Sequence, residues 1–223
     1  MYYMVSKLIL AALVPAMASC AYVGGTAVSE NTVEKNVAVS DFHALSVGGA
    51  MKVTYSSDSI SGVSVSAPEN VMPWIVVESN DGKLEVYMKS GHPNFFGHMR
   101  VEVTAKSQVL TYAGVSGASS FTAGNITAES FGLSVSGASK AEITGMHAQD
   151  MKIEVSGASK ANVSGIAGGR LDADVSGASK AILSGKCGQA DLSASGASKV
   201  DASGLAAESI SRSATGASEV TAQ

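Results

Sequence analysis

The amino-acid sequence predicts an all-β protein, a right-handed parallel β-helix (solenoid) with coils of about 20 residues and a less regular N-terminal β part that contains a hairpin. Three observations predict this fold class. A four-residue motif recurs at a nearly fixed period, apolar and polar residues alternate between the motifs, and glycines interrupt every stretch that could otherwise form a helix.

The repeated motif sets the length of the coil. Ser-Gly-Ala-Ser begins at Ser116, Ser136, Ser156, Ser176 and Ser195, and Thr-Gly-Ala-Ser begins at Thr215, so the period is constant except in one slightly shorter unit. Self-similarity at one period is typical of stacked supersecondary units. Most units carry a second glycine near their middle, which leaves no run of the roughly ten residues that a helix needs.

Alternation within each unit predicts strands. Met151, Ile153 and Val155 are apolar, whereas the intervening Lys152 and Glu154 are charged. A period of two places one set of side chains inside and the other in solvent. Parallel coils about 4.8 Å apart align equivalent residues in columns, and the crossover rule favours the right-handed form. At each corner we expect the alanine of the motif to turn inward and its serines to bond neighbouring backbone or one another.

The less regular part contains two further β signals. Residues 45–53 align with residues 133–141, so the domain opens with an early copy of the same unit. Asp81-Gly82 lies between the alternating runs 75–79 and 83–87. This dipeptide predicts a hairpin, because tight hairpin turns need residues that accept positive φ.

The N-terminus resembles the signal of a bacterial lipoprotein. Lys7 is basic, residues 8–14 form an apolar run too short to span a bilayer, and small residues precede Cys20. The resemblance implies cleavage before Cys20 and lipidation of this cysteine, hence an outer-membrane lipoprotein of the cell envelope on either membrane face. The alternative is an ordinary secretory signal.

These signals divide the chain into three parts. Residues 1–19 are the predicted signal peptide, residues 20–39 a polar tether, and residues 40–223 a single domain, irregular over 40–115 and regular over 116–218.

Composition narrows the function classes. A net charge of -4 argues against a nucleic-acid partner, which requires a basic surface. A hydrophobic content of 45% argues against a disordered chain. Cys187 is the one cysteine besides Cys20, so lipidation of Cys20 leaves no intramolecular disulfide, and we expect Cys187 to be a small packed residue.

Residues 90–99 break the β pattern and form a candidate binding loop. Its chemically distinctive residues are His92, Asn94, Phe95, Phe96 and His98. The two histidines do not have a recognised metal-ligand spacing, so we predict neither a metal nor a cofactor.

A lysine occupies the fifth position of four successive units. These residues are Lys140, Lys160, Lys180 and Lys199. Stacked one per coil, neighbouring ammonium groups would repel by roughly 1 kcal/mol in water. The column is a candidate site for an anionic ligand, and the alternative is a solvated edge that deters aggregation.

Carboxylates on neighbouring units raise the question of catalysis. Asp172 and Asp174 share a strand face, with Glu154 on the adjacent coil, and paired carboxylates are the machinery of glycan-cleaving enzymes. No catalytic motif accompanies them, and charged residues are normal on a solvated face. We therefore predict that the protein is not an enzyme, with a carbohydrate-active enzyme as the least favoured alternative.

A family resemblance follows from these motifs together. The lipoprotein-like leader, residues 42–50, residues 80–86 and the repeated Ser-Gly-Ala-Ser-Lys resemble the auto-transporter adhesin "head GIN domain" family, DUF2807, which is common in Bacteroidetes. The resemblance covers roughly residues 40–220. It implies a β-helical domain in an exported protein with an adhesive role, and it brings no catalytic residues.

Two functional hypotheses come from different classes. The first is a non-enzymatic, lipid-anchored envelope protein that binds a glycan or a protein ligand. The second is a structural envelope protein that forms homo-oligomers through the ends of its β-helix, because the last coil leaves backbone donors and acceptors without partners.

Overall fold

The computed structural model describes residues 24–223, so the predicted signal peptide and the lipidation site at Cys20 lie outside the described residues. These residues form a parallel β-solenoid of about six turns with roughly 20-residue coils, which confirms the predicted fold class. A single short 3-10 helix, Met72–Trp74, interrupts the strands of this part of the chain.

The strands follow one another along the chain, and those of the regular array are the longest. They are β1 (Thr26–Ala27), β2 (Thr32–Val37), β3 (Ala44–Val47), β4 (Lys52–Ser57), β5 (Gly62–Pro68), β6 (Ile75–Asn80), β7 (Lys83–Met88), β8 (Phe95–Phe96), β9 (Glu102–Ser107), β10 (Tyr112–Val115), β11 (Ser120–Val135), β12 (Lys140–Val155), β13 (Lys160–Val175), β14 (Lys180–Gly196), β15 (Lys199–Gly216) and β16 (Glu219–Ala222).

The regular array is stacked in register. Each strand from β11 to β15 pairs in parallel with the next, and equivalent residues of successive units are partners, as Met151 and Leu171 are. The shorter unit, which begins at Ser176, is absorbed by shifts of register, one between Val163 and Ile166 and one between Ile182 and Ser184. The rest of the strand therefore keeps its inward and outward faces.

The early copy of the unit is also confirmed. β3 pairs in parallel with β10, and β4 pairs in parallel with β11. Their corners stack as well, because the backbone amide of Ala118 donates a hydrogen bond of 2.6 Å to the carbonyl oxygen of Gly49. Residues 44–57 thus form a coil beneath the coil that starts at Tyr112, although five other strands lie between them in the chain.

The corners differ from the prediction in their orientation. The alanine of each motif is exposed, whereas the motif's last serine is buried, as at Ser119, Ser139, Ser159, Ser179 and Ser198. The predicted hydroxyl contacts are present: the amide of Ser139 donates to Oγ of Ser159 at 3.3 Å, and this Oγ donates to the carbonyl oxygen of Gly137 at 3.2 Å. A buried corner contains backbone groups that need polar partners, and serine supplies them where alanine cannot.

Antiparallel strands close the N-terminal end of the solenoid. β6 pairs antiparallel with β7, and the turn between them has positive φ at Asp81 (50°) and Gly82 (74°), which confirms the predicted hairpin. On the other side, β5 pairs antiparallel with β9 and β2 pairs antiparallel with β5. Residues 32–37, which the sequence placed in a tether, instead form β2, because Val37 packs against the core and the strand covers the open edge of β5.

The core runs through the solenoid as columns of alternating side chains. Phe121 and Phe131 are the largest fully buried residues, and Cys187 is buried with them, as predicted. In the last coil the column of Leu192 continues with Arg212, whose Nη1 donates a long hydrogen bond of 3.4 Å to the carbonyl oxygen of Ala222.

Within residues 24–223, none of the helical structure is long or apolar enough to cross a bilayer.

Candidate functional site

The predicted lysine column exists as a stack. Lys140, Lys160, Lys180 and Lys199 are consecutive partners in the register of four adjacent strands. Nζ of Lys140 lies 3.5 Å from a carboxylate oxygen of Glu142, and Nζ of Lys199 lies 2.9 Å from one of Glu219, so both outer members have acidic neighbours. Among the described residues, Lys160 and Lys180 form no salt bridge, and Asp201 adds a negative charge that interacts with both Lys180 and Lys199.

A groove connects the candidate binding loop with the lower end of this column. The column continues downward from Lys140 through Ser120 and Lys52 to Glu102. A groove of about 450 Å³ at this end is lined by Lys52 and Ser120 and also by Met99 and Arg100, at the end of the loop. Met99 is the one residue of the loop 90–99 in this lining, and none of the four lysines of the column is in it, so the groove brings the loop to Lys52 and not to those lysines.

The loop itself is partly ordered by pairing with β1. Phe95 and Phe96 form β8, which pairs in parallel with β1, and the carbonyl oxygen of Asn94 accepts a hydrogen bond of 2.8 Å from the amide of Thr26. The ring of His92 stacks on Phe95 at a centroid distance of 5.9 Å. His98 is exposed, and no group of three or more metal-ligating side chains occurs within residues 24–223.

The candidate catalytic carboxylates lie on the outer face of the long parallel sheet, which β3 and β10 to β14 form. Their side chains contact other surface residues. A carboxylate oxygen of Glu154 is 2.7 Å from Nζ of Lys152, and Asp174 accepts a hydrogen bond of 2.7 Å from Ser193. Asp172 has Asp191 as its register partner, and Asp191 is 2.8 Å from the guanidinium of Arg170. A groove of about 410 Å³ includes Asp172, Lys152 and Arg170, so both signs of charge are present in it.

The same outer face carries a second, less charged groove that the sequence reasoning missed. Its volume is about 290 Å³, and its edges are formed by Tyr87 and Tyr112. Both tyrosines are exposed, at 36% and 38%, although most large apolar side chains of the described residues are buried. The remaining lining consists of small and hydroxyl-bearing residues with one acid: Ser46, Val47, Gly48, Glu85, Val86, Gly114, Val115, Ser116, Ser134 and Ser136.

The position of Tyr112 explains two glycines. A Cβ atom on Gly114 would lie 3.1 Å from the ring of Tyr112, and a Cβ on Gly132 would also lie 3.1 Å from it. The ring therefore lies along the sheet surface and covers both backbone positions. In the following coils the equivalent positions carry side chains such as Lys152 and Glu154. We therefore attribute the two glycines to the space that the ring of Tyr112 occupies.

Acidic groups determine the electrostatics of this groove. Glu85 lines it and forms an ion pair with Lys83. The pKa of the Tyr87 hydroxyl is raised by desolvation and further by Glu78, through charge and a hydrogen bond, and by Glu85. No basic residue is among the lining residues of the groove.

A sequence signal for the groove existed. Tyr112 is the aromatic member of a column that continues through the next coils with Gly132, Lys152, Asp172 and Asp191. The glycine next on its own strand face, Gly114, and the glycine one period later, Gly132, together with this aromatic residue interrupt the repeat. Tyr87 gave no such signal, because only the fold brings β7 beside β3, which separates it from β10.

Comparison with family models gives one match. The family described as "Putative auto-transporter adhesin, head GIN domain" matches residues 41–223. No curated protein matches the chain.

Solved structures share the fold at low sequence identity. A "putative adhesin" from Parabacteroides distasonis superposes with a TM-score of 0.75 at 22% identity, covering 88% of this chain and 84% of that one. A "Putative lipid binding protein" from the same species has a TM-score of 0.75 at 16% identity, covering 89% and 99%. A "putative adhesin" from Parabacteroides merdae has a TM-score of 0.66 at 20% identity, covering 88% and 83%.

Proposed function

Because the chain belongs to the "Putative auto-transporter adhesin, head GIN domain" family, as its motifs predicted, we propose that it is a non-enzymatic binding protein of the cell envelope. Its solenoid presents a rigid face to a glycan or protein ligand. The observation that carries this proposal is the outer face of the long sheet, where two adjoining grooves meet at Gly132 and its covering ring, Tyr112.

Rigidity suits this role. Every strand of the face is paired with neighbours on both sides between β3 and β14, so its side chains are held by continuous ladders of hydrogen bonds. Preformed sites lose less conformational entropy on binding than mobile loops do. The similar structures described as a "putative adhesin" and a "Putative lipid binding protein" are compatible with a ligand-binding role.

A lipid anchor at Cys20 completes the proposal. The leader supports it, and only residues 21–25 would separate the lipidated cysteine from β1, which begins at Thr26. The domain would then lie close to the membrane. Labelling of cells with a fatty-acid analogue should mark the wild-type protein and not the Cys20→Ser variant, and equal labelling of both would contradict lipidation at this residue.

We propose no catalytic role for the carboxylates. Glu154 forms an ion pair and Asp174 accepts a hydrogen bond from Ser193, and such contacts are normal on a solvated sheet face. If Asp172 were catalytic, some polysaccharide would be cleaved by the wild-type protein and not by Asp172→Asn. Turnover that depends on Asp172 would replace the binding role with an enzymatic one.

The binding role is tested by screening the full chain in detergent. An array of glycans and a set of envelope and host-surface protein fractions serve as the two ligand pools. We expect saturable binding to a defined member of one pool. Absence of binding to both pools would overturn the proposed function.

Self-association is the second candidate, and the described structure limits its geometry. β16 covers only residues 199–202 of β15, so the rest of that edge has one neighbour. The opposite end carries the antiparallel strands β2 and β6, each of which has a partner on one side only, so sheet edges are present at both ends of the described solenoid. Arg212 occupies an inward column at the β15–β16 end, and an inward charge opposes pairing through that end.

Light scattering over a range of concentrations tests this candidate. Growth of mass with concentration in the wild type would support self-association. We expect Arg212→Leu to increase it, because the substitution extends the apolar column of Leu192 to the open end. A wild type that remains monomeric throughout would remove the candidate.

A further inference from the structure

We propose that the groove between Tyr87 and Tyr112 is a binding site for a neutral oligosaccharide. The inference rests on the proposed binding function and gives it a site and a ligand class. The groove contains two exposed aromatic rings, a floor of glycine and serine, and one carboxylate. Each of these three features contributes a separate part of sugar recognition.

The rings provide the apolar part. The face of an aromatic ring carries partial negative charge and attracts the polarised C–H groups on a sugar ring. The ring of Tyr112 is held along the sheet by Gly114 and Gly132, which leave room for it on one side and expose its other side to solvent. A Cβ atom at either glycine would lie 3.1 Å from the ring, which would have to shift by a few tenths of an ångström.

The span between the rings fits a chain of sugars better than a single one. Tyr87 follows Val86, which pairs with Val47, and Val47 pairs with Val115. The two tyrosines are thus two strands apart, about 10 Å, and four positions apart along the strand direction, about 13 Å. Ser46, Gly114 and Ser134 form neighbouring positions of the floor between them.

Hydroxyl groups and Glu85 provide the polar part. Serine hydroxyls both donate and accept hydrogen bonds, and a carboxylate accepts them, which matches the hydroxyl groups of a sugar. Glu85 and the nearby Glu78 also repel an anionic ligand, and the positive charge of Lys83 is engaged by Glu85. A neutral glycan is therefore favoured over a uronic or sulfated glycan or an anionic lipid headgroup.

A peptide that adds a strand does not fit this place. The groove lies across β7, β3, β10 and β11, whose backbone groups already bond one another. Strand addition requires an unpaired sheet edge, which is absent from the middle of these ladders.

Four variants of the full chain test the site. Tyr112→Ala removes the ring and should weaken binding of a neutral oligosaccharide from the array by about tenfold or more, as truncation of a central aromatic contact does. Tyr112→Phe retains the ring and should bind nearly as the wild type. Gly132→Ala keeps the tyrosine and adds a Cβ 3.1 Å from its ring, so its affinity should fall between these two. Ile60→Ala, an exposed residue outside the groove, is the control and should change nothing.

Gly132→Ala carries the most information about the site. Gly132 is in a strand without positive φ, so alanine is compatible with its backbone. Melting curves that match the wild type would show that any loss of binding comes from the displaced ring.

Each pattern of results has its own meaning. Binding of a neutral glycan that is weakened by Tyr112→Ala and Gly132→Ala, with Ile60→Ala unaffected, supports the inference. Glycan binding that is unchanged in both Tyr112→Ala and Gly132→Ala overturns the site while the binding function stands. Binding only to anionic glycans or only to a protein fraction overturns the ligand class, and absence of any ligand overturns both proposals.

Discussion

The hydroxyl of Ser159 donates a hydrogen bond of 3.2 Å to the carbonyl oxygen of Gly137 in the coil before it. The same hydroxyl accepts a hydrogen bond of 3.3 Å from the amide of Ser139. One buried side chain therefore serves two backbone groups of a neighbouring coil, and the residue itself is only 3% exposed. This contact recurs in the column and makes the corners part of the core.

Replacement of Ser159 by alanine should lower the free energy of unfolding by about 1 to 3 kcal/mol, because the buried amide of Ser139 would lose its partner. Chemical denaturation measures the change. Ser156→Ala is the matched control, since Ser156 lies in the same corner, is only partly buried and has no side-chain hydrogen bond within the part of the chain that the structure describes. Equal losses in both variants would contradict the role of the buried hydroxyl.

Gly157→Ala should be strongly destabilising. Gly157 has a φ of 77°, and an added Cβ would lie 2.4 Å from the carbonyl oxygen of Gly137. The left-handed conformation alone costs a non-glycine residue roughly 1 to 2 kcal/mol, and the contact adds to it. Gly124→Ala is the control, because its Cβ would meet Thr144 at an ordinary 3.6 Å. Thermal unfolding should separate the two variants, and similar melting temperatures would contradict the corner geometry.

Lys160→Gln should slightly stabilise the fold at low ionic strength. Lys160 stands between Lys140 and Lys180 in register, so its removal relieves like-charge repulsion. We expect a rise of about 1 to 2 °C in melting temperature, which disappears when salt screens the column. Lys152→Gln should show no such rise, because Lys152 forms an ion pair with Glu154. A fall in the melting temperature of Lys160→Gln would disprove the repulsion.

The attachment of β16 should depend on pH. A hydrogen bond from Lys199 holds the pKa of Glu219 below its ordinary value of 4.5, and Thr221 lowers it further. Glu219 therefore stabilises the fold above this value, and its contribution is lost as the pH falls through the lowered pKa. The pKa of Lys199 is raised above 10.5 by the hydrogen bond to Glu219, so its contribution is complete below 10.5 and lost as the pH rises through the raised value.

Amide hydrogen exchange can test this pH dependence. Protection factors of the β16 amides should be higher at neutral pH than in acid below the lowered pKa of Glu219. Lys199→Met should reduce protection at neutral pH and weaken its dependence on pH. Unchanged protection of β16 in the wild type across this range would contradict the role of the ion pair.

The solenoid itself was predictable because its determinants are local. The spacing of Ser-Gly-Ala-Ser indicated the coil, alternation as at Met151 and Ile153 indicated the strands, and Asp81-Gly82 indicated the hairpin. The lysine column followed from the same period, since equal spacing along the chain becomes stacking in a parallel coil.

The remaining features depend on contacts between distant parts of the chain. The orientation of the corner was wrong in the prediction because the need of buried backbone for the hydroxyl of Ser159 outweighs the apolar character of alanine. The strand β2 depends on the free edge of β5, which only the folded N-terminal part creates. The groove was missed because it joins Tyr87 and Tyr112 through a strand, β3, that precedes both in sequence.

Antiparallel strands mark the N-terminal end of the solenoid, where its stack of parallel coils begins. β2, β5 and β6 take the place of a further parallel coil on that side, and the groove of Tyr87 and Tyr112 lies on the first coils above them. Duplication of a unit such as 156–175 within the regular array would lengthen the rod by about 4.8 Å and leave the groove unchanged. The length of the solenoid and the composition of the groove can therefore evolve independently of each other.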